Sequence, residues 1–299
     1  MPTVFRAALL FALITALSCA ASVWARDATV SNDRTATNVS AFGQGLAWSR
    51  EGTDGRVRLV LRSFGAPTDV PISPLTGGNV DPDLGQDDDG STVAVYTRCA
   101  GVSGRSCDVY KYDFAQRRER KVAGASTTRC SEYAPSIWDG TVAFARSGSK
   151  SCRGLYVKGP QGAALLLDRR IPADTDIRAG RVAYLYAPDS RRTYIRAFTI
   201  RRGRSQLVVS GVRAEGERTR VTSPTFSGSY LYWLHEDPRR GEFLAVRSRG
   251  HARSVLQFGD RELPGRVDSI ALDGRTLYYT NGRGVHQAND PAPRFRARD

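Results

Sequence analysis

Acidic residues recur in this 299-residue chain shortly before a repeated glycine-containing turn, and they are the residues best suited to chemistry. They are Asp81, Asp83, Glu132, Asp174, Asp176 and Asp268. Carboxylates held close together repel one another unless a metal ion, a basic peptide segment or neighbouring arginines offset their charge. If the fold gathers these residues, they form a ligand-binding site for a cation or a peptide. Alternatively, each carboxylate caps a turn and pairs with an arginine of an adjacent repeat.

The repeated turn shows which elements must position these carboxylates. It reads GQGLAWS, DGSTVAVYT, DGTVAFARS, AGRVAYLYA, SGSYLYWLH and DGRTLYYTN in its six copies. The copies align on Ala47, Ala94, Ala143, Ala183, Tyr232 and Tyr278, which gives steps of 47, 49, 40, 49 and 46 residues. Six copies at a period in the forties are typical of a β-propeller, not of a sandwich or a helical array.

Each repeat reads as four short strands separated by Gly, Asp, Pro and Ser turns. The sixth repeat lacks a fourth strand, and residues 27–40 precede the second strand of the first repeat. An open ring would leave strand edges unpaired. We therefore predict an all-β fold, a single six-bladed β-propeller with four-stranded antiparallel blades, closed by the N-terminal strand. The first strand of each blade lines the channel of a propeller, so the carboxylates should meet at one channel mouth.

The repeats resemble those of the TolB-type, WD40-like propellers. The resemblance rests on APSIWDGTVAF (134–144), SPTFSGSYLYW (223–233) and DSIALDGRTLYY (268–279), and it covers about residues 38–289. The first, second and fourth repeats depart from the Ser-x-Asp-Gly pattern with FGQG, DLGQDDDG and RAGR. The resemblance implies a stand-alone propeller without the separate N-terminal docking domain of TolB.

The first 25 residues predict a secretory signal peptide, with a basic start at Arg6, an apolar run, and a cleavage site after Ala25. The alternatives are a membrane anchor and a lipoprotein attached at Cys19. We expect the domains to be the signal peptide (1–25), the propeller (26–289) and a flexible C-terminal tail (290–299). This organisation predicts a secreted or cell-envelope protein with no transmembrane segment after cleavage.

Four cysteines remain after the signal peptide, and an even number in an exported chain predicts disulfides. Cys99 and Cys107 flank a loop between two predicted strands, and Cys130 and Cys152 bracket the second strand of the third repeat. Proximity favours the pairs Cys99–Cys107 and Cys130–Cys152 among three possible pairings. Metal binding is less favoured because no CxxC motif occurs and the histidines are not beside the cysteines.

The net charge is +14, and all but four of the 44 basic residues are arginine. Arginine is spread along the chain, which favours a solvated surface over a nucleic-acid site, although an anionic surface could still be bound. The aromatic residues of the second strands predict packing between blades, not a sugar-stacking platform. These residues are Tyr96, Phe144, Tyr184 and Tyr279.

Catalytic motifs give little support for an enzyme. His235, His251 and His286 lie at places that should not converge, and no G-x-S-x-G elbow occurs. The run at 87–89, Asp-Asp-Asp, lacks the ligand spacing of a calcium loop and reads as a polar turn.

We therefore expect a non-catalytic, monomeric binding protein without metal or cofactor. Its partner would be a protein, a peptide or an anionic envelope polymer, not a nucleic acid, bound at one face of the ring. The alternative is a carbohydrate lyase or hydrolase that uses the channel carboxylates.

Overall fold

The computed structural model describes residues 28–63, 65–72, 78, 80–100, 105–214, 217–237, 241–248, 251–257 and 266–289. Within these ranges the chain forms six antiparallel sheets that follow one another around a ring. The predicted signal peptide and the predicted tail lie outside the described residues, as does Cys19. No helix in the described ranges is long and apolar enough to cross a membrane.

The chain opens with β1 (Ala28–Ser31), and each repeat then contributes one blade. Blade 1 contains β2 (Ala36–Phe42), β3 (Gly45–Glu51), β4 (Val57–Ser63) and β5 (Thr68–Asp69). Blade 2 contains β6 (Asp83–Gln86), β7 (Thr92–Ala100), β8 (Arg105–Asp113) and β9 (Arg118–Lys121). Blade 3 contains β10 (Cys130–Trp138), β11 (Thr141–Gly148), β12 (Gly154–Lys158) and β13 (Leu165–Asp168).

Blades 4 to 6 continue the same order. Blade 4 contains β14 (Pro172–Arg178), β15 (Arg181–Asp189), β16 (Arg192–Thr199), β17 (Arg204–Ala214) and β18 (Glu217–Arg218). Blade 5 contains β19 (Arg220–Ser227), β20 (Tyr230–Asp237), β21 (Gly241–Ser248) and β22 (His251–Gln257). Blade 6 contains β23 (Val267–Asp273), β24 (Thr276–Asn281) and β25 (Gly284–Asn289). A short 3₁₀ turn, Ile200–Arg202, connects β16 to β17. Blade 4 thus carries one strand more than the predicted four, because β18 folds back on the end of β17.

The N-terminal strand closes the ring, as predicted. The sixth sheet has the order β1-β25-β24-β23, in which β1 takes the place of the missing fourth strand. Ala28 pairs with Gln287 and Thr29 with His286. Arg62 of blade 1 also donates a hydrogen bond to the Val30 carbonyl at 2.8 Å, which ties the closing strand to the adjacent blade.

The core lies between successive blades, where apolar side chains of each sheet pack against the next. The predicted core aromatics are fully buried: Tyr96, Phe144, Tyr184 and Tyr279 all have 0% exposure. Ala47, Ala94, Ala143 and Ala183 are likewise buried at the anchor of the repeat. These alanines and aromatics lie on the second strands of the blades and pack closely in the clusters between successive blades.

Both predicted disulfides are present. Cys99–Cys107 joins the paired strands β7 and β8, and Cys130–Cys152 joins the start of β10 to the turn after β11. The first disulfide therefore links two strands within blade 2, and the second closes a loop within blade 3.

Candidate functional site

A cavity of about 380 Å³ opens at the end of the channel where the innermost strands begin. Five of the six predicted carboxylates line it: Asp81, Asp83, Asp174, Asp176 and Asp268. The opposite end of the channel narrows to a space of about 40 Å³, lined by side chains that include Phe42, Trp138 and Phe226. The cavity is therefore a deep, acidic mouth on one face of the ring.

Irregularities in the inner strands shape this mouth. The pairing of β2 with β3 shifts between Thr37 and Ser40, and equivalent shifts interrupt β10, β14, β19 and β23. Asn38, Asp81 and Ser223 have φ values of 52°, 45° and 48°, in the left-handed region that non-glycine residues enter rarely. Such bulges re-aim side chains, and these three residues all line the cavity.

Asp81 and Asp174 are buried carboxylates with few hydrogen bonds to support their charge. Burial raises the pKa of Asp81 to about 6, although the Asn38 amide donates a hydrogen bond that lowers it. Burial, together with the negative charges of Asp81 and Asp83, raises the pKa of Asp174 to about 7. Both carboxyl groups therefore titrate near neutral pH, well above the ordinary range of an aspartate.

Asp83 and Asp176 lie deeper, where they line both the mouth and the narrow end. Each accepts a hydrogen bond from the backbone of the next blade: Asp83 from the Ile137 N–H at 2.8 Å, and Asp176 from the Phe226 N–H. Burial raises the pKa of Asp83 to about 6, and burial with the charge of Asp83 raises the pKa of Asp176 well above its usual range. These two carboxyl groups connect blades as well as line the channel.

Blades 5 and 6 add charged residues that the sequence reasoning missed. Glu236 and Glu242, on the two sides of the β20–β21 hairpin, line the cavity together with Arg220 and Arg266. Burial raises the pKa of Asp268, and the positive charges of Arg266 and Arg220 oppose that rise. The sequence contained a signal for these two residues, because HEDPRRGE (235–242) places a glutamate on each side of a Pro-containing segment typical of a turn.

Glu132 is not brought to the mouth with the other five carboxylates, which corrects the expectation from the sequence. It is fully buried and forms an ion pair with Arg146 at 3.0 Å. The Thr127 hydroxyl also donates to it at 3.0 Å, and the Arg146 guanidinium stacks on Tyr156 at 4.3 Å. Glu132 precedes the bulge of β10, so its side chain enters the blade packing instead of the channel.

The other candidate residues have local partners. Asp87 forms ion pairs with Lys111 and Arg120, and Asp89 accepts a hydrogen bond from the Ser91 N–H at 2.9 Å, as expected for a polar turn. His235, in blade 5, stacks on Phe243. His286 is in blade 6, where its Nε2 lies 3.0 Å from the side-chain oxygen of Asn281 in the same blade. The side chain of His251 lies outside the described residues.

The arrangement at the mouth can bind positive charge. Seven acidic side chains and two arginines line one cavity, and five of the acids are aspartates whose pKa is raised. A cation entering the cavity would stabilise the ionised carboxylates and lower their pKa.

Comparison with solved structures places this ring among known propellers. The chain is similar to TolB from Acinetobacter baumannii (14% identity, TM-score 0.52), with 85% of this chain and 54% of that chain covered. It is similar to the tricorn protease (15% identity, TM-score 0.58), with 85% of this chain and 25% of that chain covered. It is also similar to a puromycin-hydrolysing peptidase of Mycobacterium tuberculosis (11% identity, TM-score 0.55), with 82% of this chain and 48% of that chain covered. The chain thus spans about half, or less, of the length of these proteins.

No family model matches the sequence, and no curated protein matches it either. At identities this low the structural likeness establishes the fold alone. The protein is a six-bladed β-propeller, and its fold is similar to that of TolB, as the resemblance of its repeats implied.

Proposed function

We propose that this propeller is a non-catalytic binding protein whose acidic channel mouth receives a positively charged segment of a protein or peptide partner. The observation that carries the proposal is the gathering of Asp81, Asp83, Asp174 and Asp176 in one enclosed cavity at the cost of raised pKa values. Buried carboxylates without ion pairs destabilise a fold, and such costs are typical of functional sites.

The dimensions and chemistry of the mouth suit this ligand. A cavity of about 380 Å³ lies within the size range of small-ligand sites and would admit the end of a lysine or arginine side chain. The channel narrows beyond Asp83 and Asp176, so the ligand would enter from one face and stop there. The two lining arginines, Arg220 and Arg266, lie on the blade 5 and 6 side and would orient the approach.

We further propose that the protein works in an exported compartment as a monomer. The two disulfides support an oxidising environment, because such bonds are rare in the reducing cytosol. The first 25 residues would supply the export signal.

Calorimetric titration with a short lysine–glycine peptide tests the charge requirement. The peptide should bind at about pH 6.5 with release of protons, since its charge lowers the pKa of Asp81 and Asp174. Proton release is measured as a dependence of the binding heat on the ionisation enthalpy of the buffer. The same peptide with acetylated lysines should not bind, because it lacks the charge.

The variant pair Asp81→Asn and Asp174→Asn, combined in one protein, should weaken binding at least about tenfold. The matched control is Asp189→Asn, a carboxylate exposed to solvent and paired with Arg192. Equal affinity of the combined variant and the wild type, or equal binding of the acetylated peptide, would overturn the proposal.

The rival function, a carbohydrate lyase or hydrolase, would use the same carboxylates, with the raised pKa of one of them suited to a general acid. Incubation with an acidic and a neutral polysaccharide separates the two. Loss of polymer length that Asp174→Asn abolishes would favour the enzyme over the binding protein.

A further inference from the structure

A second cavity, of about 360 Å³, lies on blade 4 away from the channel. It is lined by Arg170, Tyr186, Arg192, Tyr194 and Arg196, with Pro188 and Leu207. Among these described lining residues there is no carboxylate. Two of its three arginines are paired with neighbouring carboxylates, Arg170 with Asp168 and Arg192 with Asp189, and Arg196 has no ion pair among the described residues. This cavity and the acidic mouth both lie at the end of the ring where the innermost strands begin.

Strand alternation creates this groove. The sequence RTYIR in β16 places Arg192, Tyr194 and Arg196 on one side of the strand and the buried Ile195 on the other. Tyr194 pairs with Tyr186 of β15, and their rings stack with centroids 6.1 Å apart. The two tyrosines form the floor, and the arginines stand beside it.

The groove stays open because the blade that faces it is short. In blade 3, β12 and β13 have five and four residues, whereas β16 and β17 of blade 4 have eight and eleven. The outer strands of blade 4 therefore extend past their neighbour. The turn that follows β13 supplies Arg170 at one side of the groove.

The arginines are held in place, yet they keep donors for a ligand. Arg196 donates from Nε to the Ser205 hydroxyl at 2.9 Å, and the same hydroxyl contacts the Tyr184 hydroxyl at 3.0 Å. Within the described part of the chain, the two terminal nitrogens of Arg196 have no hydrogen-bond partner. Arg192 uses Nε and one terminal nitrogen on a single oxygen of Asp189. A guanidinium fixed at one edge is ready to bind an oxyanion with the other.

We propose that this groove binds an anionic polysaccharide through the carboxylate or phosphate groups of its sugars. Arginine forks recognise such oxyanions, and the tyrosine hydroxyls offer hydrogen-bond partners for sugar hydroxyls. Single-stranded nucleic acid fits less well, because base stacking needs open ring faces and the two tyrosines here cover one another. This proposal is independent of the ligand at the acidic mouth.

Binding of polygalacturonate, a polymer of carboxylated sugars, tests the proposal, with fully methyl-esterified polygalacturonate as the uncharged counterpart. The wild type should bind the first polymer with an affinity that falls as salt is added, and it should not bind the second. Arg196→Gln should weaken binding at least about tenfold, since it removes charge-assisted hydrogen bonds.

Arg202→Gln is the matched control, because Arg202 is exposed in the 3₁₀ turn and does not line the groove. It should change the affinity less than about twofold, and the combined Asp81→Asn and Asp174→Asn variant should leave polygalacturonate binding unchanged. Equal losses in Arg202→Gln and Arg196→Gln would show a diffuse arginine surface and overturn the proposal. So would tighter binding of a single-stranded oligothymidylate through Arg196, or equal binding of the esterified polymer.

Discussion

Replacement of Asp174 by Asn should make the protein more stable at alkaline pH, although a buried polar group is usually costly to change. Asp174 lines the acidic mouth, and its pKa is raised from the ordinary 3.8 to about 7 by burial and by the charges of Asp81 and Asp83. The ionised carboxylate therefore destabilises the folded state. An asparagine of nearly the same shape removes the charge and the repulsion.

The magnitude follows from the pKa. Raising a pKa by one pH unit corresponds to about 1.4 kcal/mol, so the rise from 3.8 to about 7 sets an upper bound of about 4 kcal/mol at pH 8. Because Asp174 titrates together with its neighbours, part of the penalty would pass to them. We expect a gain of about 2–3 kcal/mol, which raises the melting temperature by roughly 4–5 °C in a chain of this size.

The sign depends on pH. The folded state holds a proton on Asp174 between about pH 4 and 7, whereas the unfolded state does not, so wild-type stability falls as pH rises through this window. The advantage of Asp174→Asn should be largest near pH 8 and fall below about 1 kcal/mol near pH 4. Urea unfolding followed by tryptophan fluorescence at both pH values measures it.

The control is Asp189→Asn, since the pKa of the exposed Asp189 is held below its usual value by Arg192. That variant should gain no stability at pH 8. If Asp174→Asn is no more stable than the wild type at pH 8, or if its advantage is the same at both pH values, the charge repulsion inferred at the mouth is wrong.

Three further changes test the architecture. Deletion of residues 28–31 should lower stability by about 2–4 kcal/mol and cause association seen by size-exclusion chromatography, because the edge of blade 6 loses its partner; unchanged stability would contradict closure by this strand. Replacing Cys130 and Cys152 together with Ala should cost about 3 kcal/mol in urea unfolding, and reduction of the wild type, which also breaks Cys99–Cys107, should cost at least as much. Glu132→Ala should cost about 3–5 kcal/mol by leaving the buried Arg146 unpaired. The Glu132→Ala variant should not alter peptide binding at the mouth, and a loss of binding would show that Glu132 contributes to the site.

The fold could be predicted because the same pattern of turn and strand residues recurs in all six repeats. Each blade carries a turn followed by an anchor residue, which is alanine in the first four repeats and tyrosine in the last two, and the sequence shows both the turn and the anchor. The sixth repeat also lacks a fourth strand, and the segment before the first repeat was available to pair with its open edge, as β1 does. These features are local or periodic, which is the information that a sequence shows most directly.

The site could be predicted less completely, because it depends on where each inner strand bulges. Asp81, with a left-handed φ of 45°, and Asp174, which follows the register shift of β14, reach the cavity. Glu132 instead lies before the register shift of β10 and turns into the blade. Glu236 and Glu242 reach the cavity from a hairpin of blade 5, and that approach is set by the curvature of the ring. A slip of one residue in register changes the side of the strand on which a side chain lies, and the sequence pattern alone does not fix it.

Structural need does not explain the acidity of the mouth. Ser40 occupies in blade 1 the place that Asp83 and Asp176 occupy in blades 2 and 4, and its uncharged hydroxyl accepts the Leu84 N–H of the next blade at 2.9 Å. A serine can therefore make the same connection between blades without burying a charge. The aspartates make it at the cost of a raised pKa, and their ionised form brings a charge that the connection does not require. Asp174, which makes no such connection in the described contacts, adds to the same field. The excess negative charge is concentrated in one cavity, as expected if a cation is the ligand that offsets it.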